Sequence, residues 1–515
     1  MSKTSSLRVL AMAAAVVAAV LAAVAVAMVD IKEAEAAFPG QNGRIAFESN
    51  RITPNNPEGD FEIFTARSNG TDLRQLTSNT KHDFRPAYSP DGQRIAYSGF
   101  SGADYEIYTI PASGGTRFNV TDNATGDYQP AYSPDGTRIA YVSDGQDEDS
   151  GNDDEILTIG VAGGTPTPVT SNVTRDRDPA YSPNGNRIAY TGFDGTDQEI
   201  FTVPVAGGEP RFNVTDNTTE EGFPDYSPDG ARIAYTSFDG SIDETYTIPA
   251  TGGAATNLTN REDDDFNPAW SPDGTKIAVG RSGDIYTMNA SDGSNQANIT
   301  NTNATTTPAS EGAPDWQPLV PLFVWPSSAL TIDWRDVLTI PGRLFLGPGN
   351  PMPGQRVYLE ERPAGSEKFT LTPGAEAITT EDGSFRFEKV GPSENTDYRV
   401  RFEGDEAKGI PSATSSTGRV NVRVLVSGRL STNNLKLGES LTISGAVAPA
   451  HEGKVTLIVR RNGKAWTEKS SDLIGSRFNF RYKPGAVGEY TVVARYPTHA
   501  DHLGNTGPKR SFVVP

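Results

Sequence analysis

Pro86-Ala87-Tyr88-Ser89-Pro90-Asp91-Gly92-Gln93-Arg94-Ile95-Ala96-Tyr97 reads as a short strand, a tight turn and a second, alternating strand. The same phrase returns at residues 130–141, 179–190, 224–235 and 268–279. Its turn tetrads, Ser-Pro-Asp-Gly or Ser-Pro-Asn-Gly, start at 89, 133, 182, 227 and 271, a period of 44 to 49 residues. A sixth copy is divided, with Arg44-Ile45-Ala46-Phe47 near the front of the chain and Pro314-Asp315-Trp316 some 270 residues later. A period of this length signals radial or solenoid repetition.

Each unit holds four short β patterns. In the unit built on residues 86–97 these are residues 86–89, 94–98, 106–110 and 118–121, with Gly114-Gly115 at a turn that needs positive φ. Four antiparallel strands per unit, six units and no helical periodicity predict a six-bladed β-propeller. The divided copy predicts closure: residues 314–317 supply the inner strand of the blade that also contains residues 45–47, 62–65 and 73–76. Half a repeat at each end has no use in an open solenoid, whereas in a ring it removes an exposed edge.

Residues 1–37 read as an export signal. Lys3 and Arg8 precede an apolar run over residues 10–29, and Ala34-Glu35-Ala36 offers a cleavage site. At about 20 residues the run is also long enough to span a bilayer as an uncleaved anchor, the one membrane attachment expected. The propeller is assigned to residues 38–318. Beyond it a weaker duplication appears: Ser440-Leu441-Thr442-Ile443-Ser444-Gly445 echoes Val337-Leu338-Thr339-Ile340-Pro341-Gly342, and Arg477-Phe478-Asn479-Phe480 echoes Ser384-Phe385-Arg386-Phe387. Two immunoglobulin-like β-sandwiches, residues 319–425 and 426–515, are expected there, serving as a stalk. The expected fold class is therefore all-β, a propeller followed by two sandwiches.

The chain has no cysteine, which excludes disulfides, a thiolate metal site and a lipidated N-terminal cysteine. Residues 38–318 carry 42 Asp and Glu against 17 Lys and Arg, and residues 319–515 carry 20 against 25. A propeller near −25 repels phosphates, so nucleic acid is excluded as its partner. The acids concentrate in the loops joining the second strand to the third and the fourth strand to the next blade. Examples are the run over residues 144–155 and Arg261-Glu262-Asp263-Asp264-Asp265. Loop variation on one face of a fixed scaffold is where binding usually resides.

Two acidic positions recur in all six units. Asp83, Asp127, Asp176, Glu221, Asp265 and Glu311 stand three residues before each inner-strand proline. Glu62, Glu106, Glu155, Glu199, Glu244 and Asp284 stand just before the third strand. The first set is expected to ring the channel mouth. There it would either fix turns by accepting backbone N–H groups or bind a hard cation such as Ca2+. The acidic run over 144–155 lacks the ligand order of an EF-hand loop and reads as a solvated loop. A recurring base (Arg44, Arg94, Arg138, Arg187, Arg232, Lys276) is expected in surface or inter-blade ion pairs.

No catalytic constellation is legible. His82 has no marked nucleophile beside it, and His499-Ala500-Asp501-His502 reads as a solvated loop, since a pair three apart holds a metal only with further ligands near. Neither a G-x-S-x-G elbow nor a phosphate-binding glycine loop is present.

Pro268-Ala269-Trp270-Ser271-Pro272-Asp273-Gly274-Thr275-Lys276-Ile277-Ala278, with Glu106-Ile107-Tyr108 and Asn119-Val120-Thr121, resembles the TolB-type propeller repeat. The resemblance covers about 275 residues and implies an exported, partner-binding propeller of the cell envelope. Similar repeats occur in the gating propellers of prolyl-oligopeptidase-type and tricorn-type peptidases and in secreted carbohydrate-active lyases. The α/β domain preceding the propeller in TolB, and a peptidase's hydrolase domain, are not recognisable here. The reading is thus a monomeric, non-catalytic binding protein that takes a protein partner or basic peptide on its acidic face. The alternative is a carbohydrate-active lyase or hydrolase with a metal-dependent site in the propeller funnel.

Overall fold

The computed structural model describes residues 40–144, 154–208, 210–238, 240–302, 309–326, 328–408 and 410–515. The expected export segment, and most of the acidic run over 144–155, lie outside these residues. Among them no helix is long and apolar enough to cross a membrane. The chain divides into two compact units, the first ending at Leu319 and the second being Val320–Pro515.

The first unit consists of six four-stranded antiparallel sheets. With strands lettered A to D from the inside, a representative blade is Asp83–Tyr88, Arg94–Phe100, Tyr105–Pro111 and Phe118–Asn119. The divided repeat closes as the sequence predicts. Glu311–Leu319 is strand A of the blade whose strand B is Gln41–Ser49, in a register that sets Ile45 opposite Trp316 and Ser49 opposite Glu311.

Alternation along strand B explains why the phrase Arg-Ile-Ala-Tyr recurs. Ile95 and Tyr97 pack with Ala46 and Ile63 of the preceding blade. Ala96, on the opposite face, packs with Tyr132, Ile139 and Tyr141 of the following one. The last such cluster joins Ile45, Phe47 and Phe64 to Ala278, Ile285 and Ile299, completing the ring. Each buried isoleucine contributes roughly 1.5–3 kcal/mol, so every blade-to-blade seam carries a similar share of the stability.

The turn tetrad has an equally local cause. Asp91 Oδ1 accepts from Ser89 Oγ (2.6 Å) and from the Gln93 N–H (3.0 Å), while Ser89 Oγ accepts from the Arg94 N–H (2.9 Å). Gly92 sits at φ +65°, where a Cβ would meet the Pro318 carbonyl oxygen at 2.3 Å. Glycine is therefore required there.

The second unit contains two separate hydrophobic cores. One lies between the sheet Pro321–Val324, Leu338–Leu346 and Ser384–Val390 and a larger sheet that includes Arg356–Pro363 and Thr396–Phe402. That larger sheet holds a parallel pair, Leu330–Asp333 with Gly418–Arg423. The other core lies between Leu441–Ala448 with Arg477–Tyr482 and the sheet of Lys454–Arg461, Lys464–Asp472 and Gly488–Tyr496.

Candidate functional site

The six carboxylates expected at the channel mouth are buried inside the blades instead. Asp83, Asp127, Asp176, Glu221, Asp265 and Glu311 are all buried, and none of them lines the central cavity. The reason is the direction of their side chains: strand A is innermost, but Asp127 turns sideways to its strand B neighbour. Ser143 Oγ donates to Asp127 Oδ1 (2.6 Å). Ser237 Oγ donates to Glu221 (3.1 Å), Arg281 Nε to Asp265 (2.5 Å) and Ser49 Oγ to Glu311 (3.0 Å) in the same way.

Four blades complete the pattern with an asparagine four residues before the acid. Asn123 donates its backbone N–H to Glu106 (2.8 Å) and its side-chain Nδ2 to Asp127 (2.7 Å). Asn79, Asn172 and Asn217 bridge Glu62 to Asp83, Glu155 to Asp176 and Glu199 to Glu221 in the same manner. The two recurring acids are thus one structure, a strand C carboxyl and a strand A carboxyl pinned by one linker residue. Burial raises Asp83 and Asp127 to about 6, Asp176 to about 7 and Glu62 to about 8, the hydrogen bonds offsetting part of the effect.

The recurring base is also placed differently from expectation. Arg94, Arg138, Arg187 and Arg232 donate to the strand C threonines Thr109, Thr158, Thr202 and Thr247 of their own blades. Arg44 alone among these forms a salt bridge, to Asp72, among the described residues.

The channel is lined by residues two positions further along strand A. Arg85, Gln129, Asp178, Phe223, Asn267 and Ala313 all have φ between +46° and +57°, and each lines the central cavity of about 180 Å3. Each blade has a register shift there, as between Phe84 and Ala87. The extra residue of such a bulge re-aims its side chain, here into the channel. Gln129 Nε2 donates to Asp178 Oδ1 (2.5 Å), Thr191 Oγ1 donates to Asp178 Oδ2 (3.0 Å), and the Arg85 guanidinium lies 4.7 Å over the Phe223 ring. Burial raises the Asp178 carboxyl, and the Arg85 charge holds that rise back.

Two positions after the ring residue, alanine lines the cavity in four blades and aspartate in two. Asp225 accepts the Trp270 N–H (2.6 Å) and Asp315 the Tyr88 N–H (2.5 Å), each latching one inner strand to the next. Burial raises Asp225 to about 8, with Asp315 adding repulsion, and raises Asp315 to about 7. The sequence carried a signal for both, Pro-Asp in place of Pro-Ala at 224–225 and 314–315.

On the loop face, Asp194, Asp197 and Glu199 bring carboxylate oxygens within 4.8 Å of one another. Asp197 and Glu199 are buried, and Asp197 Oδ1 has no hydrogen-bond partner. Elsewhere on this face three arginines pair with buried acids: Arg51 with Glu311, Arg177 with Asp154 and Arg281 with Asp265. Asp194, Asp216, Glu220, Glu262, Asp263 and Asp264 are exposed and take no part in the salt bridges of the described residues. His82 Nδ1 accepts the Phe61 N–H (3.1 Å), which makes it a loop-fixing residue.

Residues 137–315 match the TolB beta propeller domain family. No curated protein matches the chain. Similar solved structures include TolB from Acinetobacter baumannii, at 21% identity over 54% of this chain and 67% of that chain (TM-score 0.44). A putative TolB from Agrobacterium tumefaciens is 20% identical over 50% of this chain and 88% of that chain (TM-score 0.40). An oligogalacturonate lyase in complex with manganese is 14% identical over 53% of this chain and 79% of that chain (TM-score 0.38).

Proposed function

We propose that the protein is an exported, non-catalytic binding protein of the cell envelope, with the propeller as recognition head and the second unit as a pair of immunoglobulin-like stalk modules. The match of residues 137–315 to the TolB beta propeller domain family supports a binding or scaffold role, and the export reading rests on residues 1–37. The observation that carries the partner's chemistry is the uncompensated charge of the loop face. Three of its arginines, Arg51, Arg177 and Arg281, are bound to buried acids, while Asp194, Asp216, Glu220, Glu262, Asp263 and Asp264 stay exposed without a salt bridge. A basic segment of a protein partner suits such a face, and complementary charge chiefly raises the rate of encounter and the selectivity. Asp194, Asp197 and Glu199 add a candidate Ca2+ site on the same face, as oxygen ligands around a hard cation.

The test is retention of envelope proteins on the immobilised full chain. A partner eluted by salt, and lost when Glu262, Asp263 and Asp264 are changed together to lysine, supports the reading. Retention unaffected by both salt and charge reversal refutes it.

A second reading, a secreted carbohydrate-active enzyme, is favoured by one observation. Asp225 and Asp315, raised to about 8 and 7, open with Arg85 and Asp178 on one channel. Against it, a cavity of about 180 Å3 is smaller than the roughly 300–1,000 Å3 of ordinary ligand pockets.

A further inference from the structure

His451 follows the strand Leu441–Ala448, and Asp501 and His502 lie between Gly488–Tyr496 and Asn505–Thr506. The sequence suggested a solvated loop at 499–502. The structure buries His502 instead and brings His451, some fifty residues away, against it. The side chains of His451 and His502 are 7% and 5% exposed and that of Asp501 46%. The two imidazole rings lie edge to face, 4.7 Å apart.

The hydrogen bonds define where each ring carries its proton. His451 Nδ1 lies 2.9 Å from the Pro449 carbonyl oxygen, and His502 Nε2 lies 2.7 Å from that of Ser393. A carbonyl only accepts, so these nitrogens are the N–H groups, and in neutral rings the lone pairs sit on His451 Nε2 and His502 Nδ1. Both lone-pair nitrogens are buried, lack a hydrogen-bond partner and point at Asp501 Oδ2, at 3.5 and 3.1 Å. Three acceptors therefore converge with no donor among them, an arrangement that is unfavourable away from water unless a cation sits between them.

The distances fit a metal ion. Imidazole nitrogens and carboxylate oxygens bind Zn2+ tetrahedrally at about 2.0–2.2 Å, so two ligands of one ion stand about 3.4 Å apart. Ligating histidines characteristically donate their second nitrogen to a backbone carbonyl or carboxylate, as both rings do here. Imidazole-rich donor sets select zinc and its neighbours over Ca2+ or Mg2+. The ligand loop is also bound to the other core of this unit: the Asn395 N–H donates to the Asp501 carbonyl (2.6 Å) and Asn395 Nδ2 to that of Ala500 (3.0 Å).

We propose that His451 Nε2, His502 Nδ1 and Asp501 Oδ2 bind one divalent transition-metal ion of the zinc class, a structural clamp where the loops of the two cores meet. The fourth position opens on the side where Asp501 is exposed and water supplies the remaining ligand.

The experiment is calorimetric titration of the chelator-stripped full chain with Zn2+ alone, paralleled by Co2+ followed in visible absorption. One ion per chain and the d–d bands of a four-coordinate Co2+ site are expected. His451→Asn and His502→Gln each remove the ligand lone pair while leaving an amide N–H aimed at Pro449 or Ser393. Each should weaken Zn2+ binding by at least about 100-fold, beyond what losing an outer partner does. Melting in chelator, unchanged from the parent, shows that the fold is intact. Asp501→Asn, at a half-exposed position, gives the same loss without disturbing either buried ring. An absence of saturable binding, or binding that these variants leave unchanged, overturns the proposal and leaves a protonated histidine–aspartate ion pair.

Discussion

Asp127→Asn isolates the proton held inside a single blade. Burial raises the Asp127 carboxyl from 3.8 to about 6, against the opposing hydrogen bonds from Ser143 and Asn123. Between about pH 4 and pH 6 the folded chain therefore keeps a proton that the unfolded chain has lost. Stability from this group is fully present below the unfolded value, falls as pH rises through about 6, and is level above it. A displacement of about two units at 1.36 kcal/mol each is worth at most ~3 kcal/mol. Asparagine has the same shape and no charge at any pH. It keeps an acceptor for Asn123 Nδ2 and offers a donor to Ser143 Oγ, the two partners of the native carboxyl. The variant should match the parent near about pH 3, below the unfolded value, and exceed it by ~1–3 kcal/mol near about pH 7.5. For a unit of this size each kcal/mol moves the melting temperature by about 2–4 °C, so calorimetric scans of the full chain across this range resolve the difference. Parallel curves for the two proteins, or a variant less stable than the parent near neutrality, would show that the blade does not disfavour the ionised Asp127 carboxylate and refute the reasoning.

Asp225→Ala supplies the residue found at the equivalent place in four other blades but leaves the Trp270 N–H without its acceptor; thermal melting should register a loss of ~1–3 kcal/mol with the ring still closed. Gly92→Ala adds a Cβ 2.3 Å from the Pro318 oxygen, whereas Gly185→Ala, at the same turn position and nearly the same φ (+69°), meets only Pro134 at 3.7 Å. Urea unfolding should place the first at least ~2 kcal/mol below the second. Ca2+ should raise the melting temperature of the parent saturably, and Asp197→Asn should abolish that shift; a shift that survives in the variant would assign the ion elsewhere.

The blades were legible because their signals are local. The Ser-Pro-Asp-Gly hydrogen bonds close within six residues, and the alternation of Ile95, Ala96 and Tyr97 states which seam each side chain fills. Ring closure was legible from the divided repeat. The channel lining was not, because it depends on a bulge: a repeat pattern shows that Asp83 recurs, but not that the chain gains a residue at Arg85 and turns that side chain inward. The asparagine bridges could have been found, since Asn79, Asn123, Asn172 and Asn217 each stand four residues before the recurring acid. The histidine pair could not, since nothing in the sequence announces that the chain near Pro449 returns to Asp501.

The bulge also separates what the ring keeps constant from what it lets vary. Every blade holds its carboxyl pair and its left-handed inner residue, so those positions serve the architecture and gain nothing from differing. The side chain carried by that residue is Arg, Gln, Asp, Phe, Asn or Ala in turn. Left-handed backbone favours Gly and Asn on conformational grounds, and a bulky residue there costs of order 1–3 kcal/mol. A ring under selection for stability alone would fill the position with glycine or asparagine, yet one of six is asparagine and none is glycine. Phe223 and Arg85 bear that strain and are set face to face across the channel, and Gln129 and Asp178 bear it to form a hydrogen-bonded pair. The strain is offset by contacts that bring different side chains together in the channel, which argues that the lining is chosen as a set. Exchanging the residues of one such pair between their two positions should therefore preserve stability better than replacing either alone.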